Sequence, residues 1–275
     1  MPPASAPRTA GEAWTREQLA ALRAARFAPG AVVCFLAASQ RRAGEVRRAR
    51  PALARQARRW MAAGAAAWLA LGAAGAQPWR RRRRSGLAWW GAVALMLDWH
   101  LGMVETPDGR PRPLGPADGA TLLRVWLVPV AADDPTPAVV ALAAASDLLD
   151  GRLARAGAPT RIGRDLEGLA DTCFAVAALR GLRRRGRLGR GAAGAELVRQ
   201  TAGFAYALTV YFGTAAAPDP AVRRAARLTT PLRAGGLLAG ALGRRRLADA
   251  LVASGCAVGV GSVLCGHGMR EHAPR

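Results

Sequence analysis

The chain has 275 residues, enough for one or two domains, and carries 40 Lys plus Arg against 18 Asp plus Glu, a formal net charge of +22. Every basic residue is Arg, since the sequence holds no Lys and no Asn, and Ile162 is its only Ile; GC-rich coding of this kind makes part of the charge mutational background. With 5% aromatic residues and no base-reading module the composition argues against nucleic-acid binding, and four scattered cysteines without a C-x-x-C spacing argue against a zinc or redox motif.

Residues 1–59 are Arg-rich and contain one short apolar run, Ala31 to Ser39, too short to span a bilayer. They read as a helical or partly disordered extension, and residues 1–30 are too polar for a signal peptide. Trp60 to Gln77 is uncharged for eighteen residues, long enough for a thin or tilted span. Five consecutive arginines follow, Arg80 to Arg84. A second apolar run, Gly86 to Met103, is interrupted by Asp98 and His100. These two lie about 200° apart on a helix and read as an interfacial helix end rather than a metal pair. Residues 104–118 form a polar, proline-rich linker. Next comes ATLLRVWLVPVAA, with Thr121, Arg124 and Pro129, and then a turn at Asp133, Asp134 and Pro135. Pro137 begins the helix that delivers Asp147 and Asp150. After Asp171 the apolar run ends at Leu179. Thr201 to Ala217, Pro231 to Gly243 and Ala250 to Gly266 supply three further apolar segments. Gly236/Gly240 and Gly255/Gly259 have the small-xxx-small spacing of closely approaching helices. Three of the four cysteines (Cys34, Cys173, Cys256, Cys265) sit in apolar segments and read as small buried thiols.

The chemistry concentrates in residues 147–171, DLLDGRLARAGAPTRIGRDLEGLAD. If both flanks are helical, Asp147 and Asp150 lie one turn apart, as do Glu167 and Asp171, so each pair projects from one helix face. Small and basic residues lie between the pairs. Carboxylates bordering apolar stretches are costly and are usually kept for function with a neutralising partner. Four that converge repel one another unless a divalent cation sits among them. This reads as a metal site at a membrane boundary. Asp165 lies about 120° around the helix from Asp171 and reads as solvent-exposed, while Arg161 and Arg164 flank the turn and read as contacts to a phosphate or to lipid headgroups.

This stretch resembles the signature of the CDP-alcohol phosphatidyltransferases, D-x-x-D-G-x-x-A-R, a spacer, then G-x-x-x-D-x-x-x-D. Asp147, Asp150, Gly151, Ala154 and Arg155 match the first half, and Gly163 and Asp171 match the second. The remaining position carries Glu167 in place of Asp, and the spacer from Ala156 to Ile162 is a residue or two short. A Thr-x-x-Arg at Thr121 and Arg124 more loosely resembles the phosphatidylglycerophosphate synthase branch, and residues 223–233 are similar to the basic, Thr-containing loop before that family's fifth core helix.

The resemblance implies an all-α, polytopic membrane bundle: a six-helix core over residues 104–275, preceded by two additional apolar helices at 60–103 and the extension 1–59. It implies transfer of a phosphatidyl or related group from a CDP-linked lipid to an alcohol, with release of CMP, at the cytoplasmic face of the cell membrane. Mg²⁺ or Mn²⁺, two ions on the family assignment, suits an all-carboxylate site. Asp147, Asp150 and Glu167 would hold the metals with help from Asp171, which is also the implied general base. Gly151, Ala154 and Gly163 would let a nucleotide lie close to the backbone, and Arg155 would contact its phosphate. The bilayer is an implied partner and a homodimer a further one. Two other readings stay open: a polytopic cation-coupled carrier and a catalytically weak scaffold of the same fold. One feature conflicts with alternate crossings. They place Arg80–Arg84, Arg183–Arg187 and Arg244–Arg246 opposite the acidic signature, against the positive-inside expectation.

Overall fold

The computed structural model describes residues 9–106, 109–156, 161–209 and 220–271. The first five helices in chain order are α1 (Ala10–Ala24), α2 (Pro29–Ala49), α3 (Pro51–Ala73), α4 (Gln77–Arg81) and α5 (Arg83–His100). A 3-10 turn at Leu101–Met103 precedes α6 (Pro116–Trp126) and α7 (Val128–Asp133). They are followed by α8 (Pro137–Ala156), α9 (Arg161–Arg184), α10 (Arg190–Thr209), α11 (Pro220–Ala241) and α12 (Arg245–Glu271). Proline marks the start of α2, α3, α4 and α6, where its missing N–H is one the helix cannot pair anyway. The expected turn at Asp133 to Pro135 falls between α7 and α8. Two compact units result, Met1–Pro129 with Ala145–Asp171, and Val130–Ala144 with Thr172–Arg275.

In the first unit, Leu53, Ala54 and Ala57 of α3 pack with Leu97, Leu101, Val104 and Leu114, and Leu166 of α9 rests against this core. Gln56 ties the linker down with two hydrogen bonds to Leu114, donating to its carbonyl and accepting from its N–H, each at 2.9 Å. Tryptophans then fix α6. The indole N–H of Trp126 donates to the Gly64 carbonyl at 2.9 Å, and that of Trp89 donates to the Val125 carbonyl at 2.9 Å. The Trp126 ring lies edge-on to Trp68 at 5.2 Å and tilted against Trp79 at 5.9 Å. Such aromatic contacts add about 0.5–1.5 kcal/mol each beyond burial, so α6 is held rigidly by α3, α4 and α5.

This packing requires a missing side chain at Gly86. A Cβ there would lie 2.0 Å from Cζ2 of Trp68, a ring only 1% exposed. Gly86→Ala is therefore expected to lower stability by about 1–3 kcal/mol through overpacking, read as a fall in thermal midpoint. An unchanged midpoint would mean that the indole moves freely.

The second unit is built on the α11–α12 hairpin with α10 against α12. A Cβ on Gly236 would approach Val252 Cγ2 to 2.7 Å, so the small-residue spacing does serve close helix approach. Its polar centre is Glu196, buried at 2% exposure. Arg199 grips it through Nε and Nη2 at 2.8 and 2.7 Å, Arg233 Nε donates at 2.7 Å, and Gln200 Nε2 donates at 3.0 Å. The Cys256 thiol donates to it at 3.2 Å. Cys256 is buried as expected and Cys173 is half-buried, but Cys34 is exposed on α2; Cys265 lies outside the described side chains.

The all-α class expected from the sequence is shown. The spans are a different matter: no described helix is long and apolar enough to cross a membrane. The uncharged run Trp60 to Gln77 is not one helix. It breaks after Ala73 at a turn containing Gly75 (φ 84°) and resumes as α4, leaving about 21 Å of helix against a hydrocarbon core of about 30 Å. In α5 the run between Arg84 and Asp98 is shorter still. Asp98 forms an ion pair with Arg47, and His100 Nδ1 lies 2.7 Å from the Met96 carbonyl. Of the segment Thr201 to Ala217, only the part within α10 is described.

Candidate metal-binding active site

Three helices supply the site. α6 starts at Pro116, with Asp118 at its third position accepting the Gly115 N–H at 2.7 Å, one half of a capping box, since glycine has no side chain to return the bond. One turn further on, Thr121 and Arg124 fall three residues apart and share a face. From the C-terminal half of α8 come Asp147 and Asp150, and from the N-terminal half of α9 come Glu167 and Asp171. All six belong to the first compact unit.

One carboxylate oxygen from each of Asp147, Asp150 and Glu167 lies within 4.8 Å of the others. Asp171 is not in that trio. Its Oδ1 takes a hydrogen bond from Arg124 Nη1, which also donates to Asp147 Oδ1 at 2.7 Å. Arg124 Nη2 donates to Asp150 Oδ2, and the Thr121 hydroxyl donates to the same oxygen at 2.9 Å. Asp150 is buried, whereas Asp171 keeps 41% of its side chain exposed. Buried Arg124 thus holds three of the four acids by one oxygen each and leaves the others available.

Charge decides what such a cluster can do. Among the described residues one guanidinium faces four carboxylates, so most of their negative charge stays uncompensated by these groups when all are ionised. Burial, and then the charges of Asp150 and Asp171, push the Glu167 carboxyl above its usual range, more than Arg124 lowers it. Burial also raises Asp171, against the pull of Arg124. Both acids stand in the N-terminal half of α9, RIGRDLEGLAD in sequence. Converging carboxylates, all-oxygen donors and residual repulsion fit hard divalent cations such as Mg²⁺ or Mn²⁺.

Of the residues expected from the sequence, Asp147, Asp150 and Glu167 are brought together and Asp171 joins them through Arg124. Gly151 is half-buried in α8. Ala154 and Arg155 lie in α8 and Gly163 in α9, but their side chains, like those of Arg161, Arg164 and Asp165, fall outside the described residues. The position of Arg124 as the hub was not foreseen. Its pairing with Thr121 one turn earlier was the available signal.

Because Arg124 offsets acids that otherwise repel, Arg124→Met is expected to cost about 2–4 kcal/mol of stability in EDTA, with much of the loss recovered in millimolar Mg²⁺. The sign with pH follows from the raised acids. A carboxyl whose folded pKa exceeds its ordinary value (4.5 for Glu167, 3.8 for Asp171) disfavours folding increasingly as pH rises between the two values, and fully above the folded one. The metal-free variant should therefore melt lower at pH 8 than at pH 5. A deficit indifferent to both metal and pH would remove Arg124 from the charge balance.

Comparison with known proteins gives one finding. The family model described as CDP-alcohol phosphatidyltransferase matches residues 117–260, more than half of the chain and all of the six site residues. No curated protein and no solved structure matches.

Proposed function

We propose that this chain, which belongs to the CDP-alcohol phosphatidyltransferase family, moves a phosphatidyl or related substituted phosphate group from a CDP-activated lipid to an alcohol acceptor and releases CMP. Membership makes it a transferase of phospholipid biosynthesis whose substrates are a CDP-linked alcohol and an acceptor alcohol. The convergence of Asp147, Asp150 and Glu167 is the observation that carries the finer reading.

Asp147, Asp150 and Glu167 would hold the divalent ions, which neutralise the diphosphate and the charge that builds on the leaving phosphate. Asp171, more exposed than Asp150 and with its proton affinity raised, is suited to take the proton of the incoming hydroxyl. Arg124 and Thr121 hold Asp150 in place from a helix that the tryptophans keep rigid, the kind of support on which ligand orientation depends. Gly151, Ala154, Arg155 and Gly163 are assigned to the nucleotide on the family motif. The family is generally membrane-integral, and we place the acidic site at the cytoplasmic face of the cell membrane. The resemblance of the Thr121/Arg124 stretch to the phosphatidylglycerophosphate synthase branch favours a glycerophosphate-type acceptor.

The test is CMP release by the full chain in detergent, given CDP-diacylglycerol, Mg²⁺ or Mn²⁺ and a panel of alcohols. Metal-dependent release with at least one acceptor is expected; none with any acceptor would count against transferase activity. Glu167→Asp restores the family residue and is expected to retain or raise the rate. A large loss would mean that the site has been rebuilt around the longer acid.

A further inference from the structure

We propose that the tip of the α3–α5 hairpin, centred on Arg80–Arg84, is a docking surface for the anionic headgroups of a phospholipid bilayer. Arg80, Arg81, Arg83 and Arg84 are exposed and Arg82 is half-buried. The sequence holds no Asp or Glu from Val46 to Leu97, a stretch with eleven arginines, so neither arm of the hairpin supplies a counter-charge to its own tip. Among the described residues Arg80, Arg83 and Arg84 form no ion pair.

The surroundings suit an interface. Leu69 and Leu71, in the last turns of α3, are 40% and 37% exposed. Trp79, next to the arginines, is packed on Trp68 and Trp126, which anchors α4 to the body of the first unit rather than leaving the basic run on a loose loop. GC-rich coding explains why the basic residues are Arg. It does not explain why five are contiguous at one turn with no acid on either side. Exposed leucines beside a cluster of cations match an anionic lipid surface, where each basic residue adds attraction and apolar side chains enter the headgroup boundary. Nucleic acid would share the charge but not the leucines.

The proposal also bears on one of the three basic clusters in topological conflict: the uncharged parts of α3 and α5 are shorter than the hydrocarbon core, so Arg80–Arg84 need not be carried to a far side. It lies outside the family match and does not depend on the reaction.

Hydrogen–deuterium exchange tests it, with the full chain in nanodiscs of phosphatidylcholine alone or with 30% phosphatidylglycerol. Residues 77–90 are expected to exchange at least about threefold more slowly in the anionic discs, with the effect abolished by high salt. The variant Arg80→Gln/Arg83→Gln/Arg84→Gln should lose the effect and Arg80→Lys/Arg83→Lys/Arg84→Lys should keep it, which separates charge from misfolding. Equal exchange in both discs would overturn the proposal. So would protection by a single-stranded oligonucleotide in neutral discs that matches the lipid effect.

Discussion

Asp171→Asn is expected to lower CMP release by about a hundredfold to ten-thousandfold, the range of a general base, while affinity for Mn²⁺ falls far less. The separation rests on geometry. The oxygens of Asp147, Asp150 and Glu167 converge, whereas the Asp171 contact is with Arg124. An amide at position 171 can still accept a hydrogen bond from the guanidinium, so the change removes basicity more than structure. The pH profile adds a second readout. Asp171 is raised from its ordinary 3.8 by burial despite Arg124, so the wild-type rate should fall on the acid side at a pH above the usual carboxylate range. That limb should be missing from the residual rate of the variant. Unchanged CMP release from Asp171→Asn would defeat the assignment, and an equal loss of rate and of Mn²⁺ affinity would make Asp171 a ligand instead.

Asp150→Asn should act on the other half of the site. Asp150 is the buried acid, and its Oδ2 is held by both Arg124 and Thr121. Replacing it removes a negative charge from the trio and offers an amide nitrogen where a cation wants oxygen. We expect at least about a hundredfold loss in kcat/KM, with a higher Mg²⁺ requirement that extra metal rescues only in part. The metal-free protein should be no less stable than wild type, since one of several repelling charges has gone. A variant with normal metal dependence but poor folding would assign Asp150 to structure alone.

The acids were legible in the sequence because their spacing is local. Asp147 with Asp150 and Glu167 with Asp171 are each one helical turn apart, and a helix converts that spacing directly into a shared face. Arg124 was not legible as their hub, because its partners lie 23, 26 and 47 residues away and only tertiary packing joins them. The same holds for Glu196, whose contacts with Arg233 and Cys256 span 37 and 60 residues. The tryptophan clamp on α6 was hidden for that reason too, and with it the way α3 and α5 support the site. The expected span at Trp60 to Gln77 failed on a different point. An uncharged run measures composition, and the break at Gly75 shows that it does not measure helix length.

Mn²⁺ binding followed by electron paramagnetic resonance puts the central claim to the most direct test, with the full chain in detergent compared with Asp147→Asn/Asp150→Asn/Glu167→Gln. Wild type should remove Mn²⁺ from the free signal in stoichiometric amount, and the triple variant should leave it free at the same concentrations. Wild type that leaves the free signal undiminished, or a variant that binds as wild type does, would contradict a metal site built from these three acids.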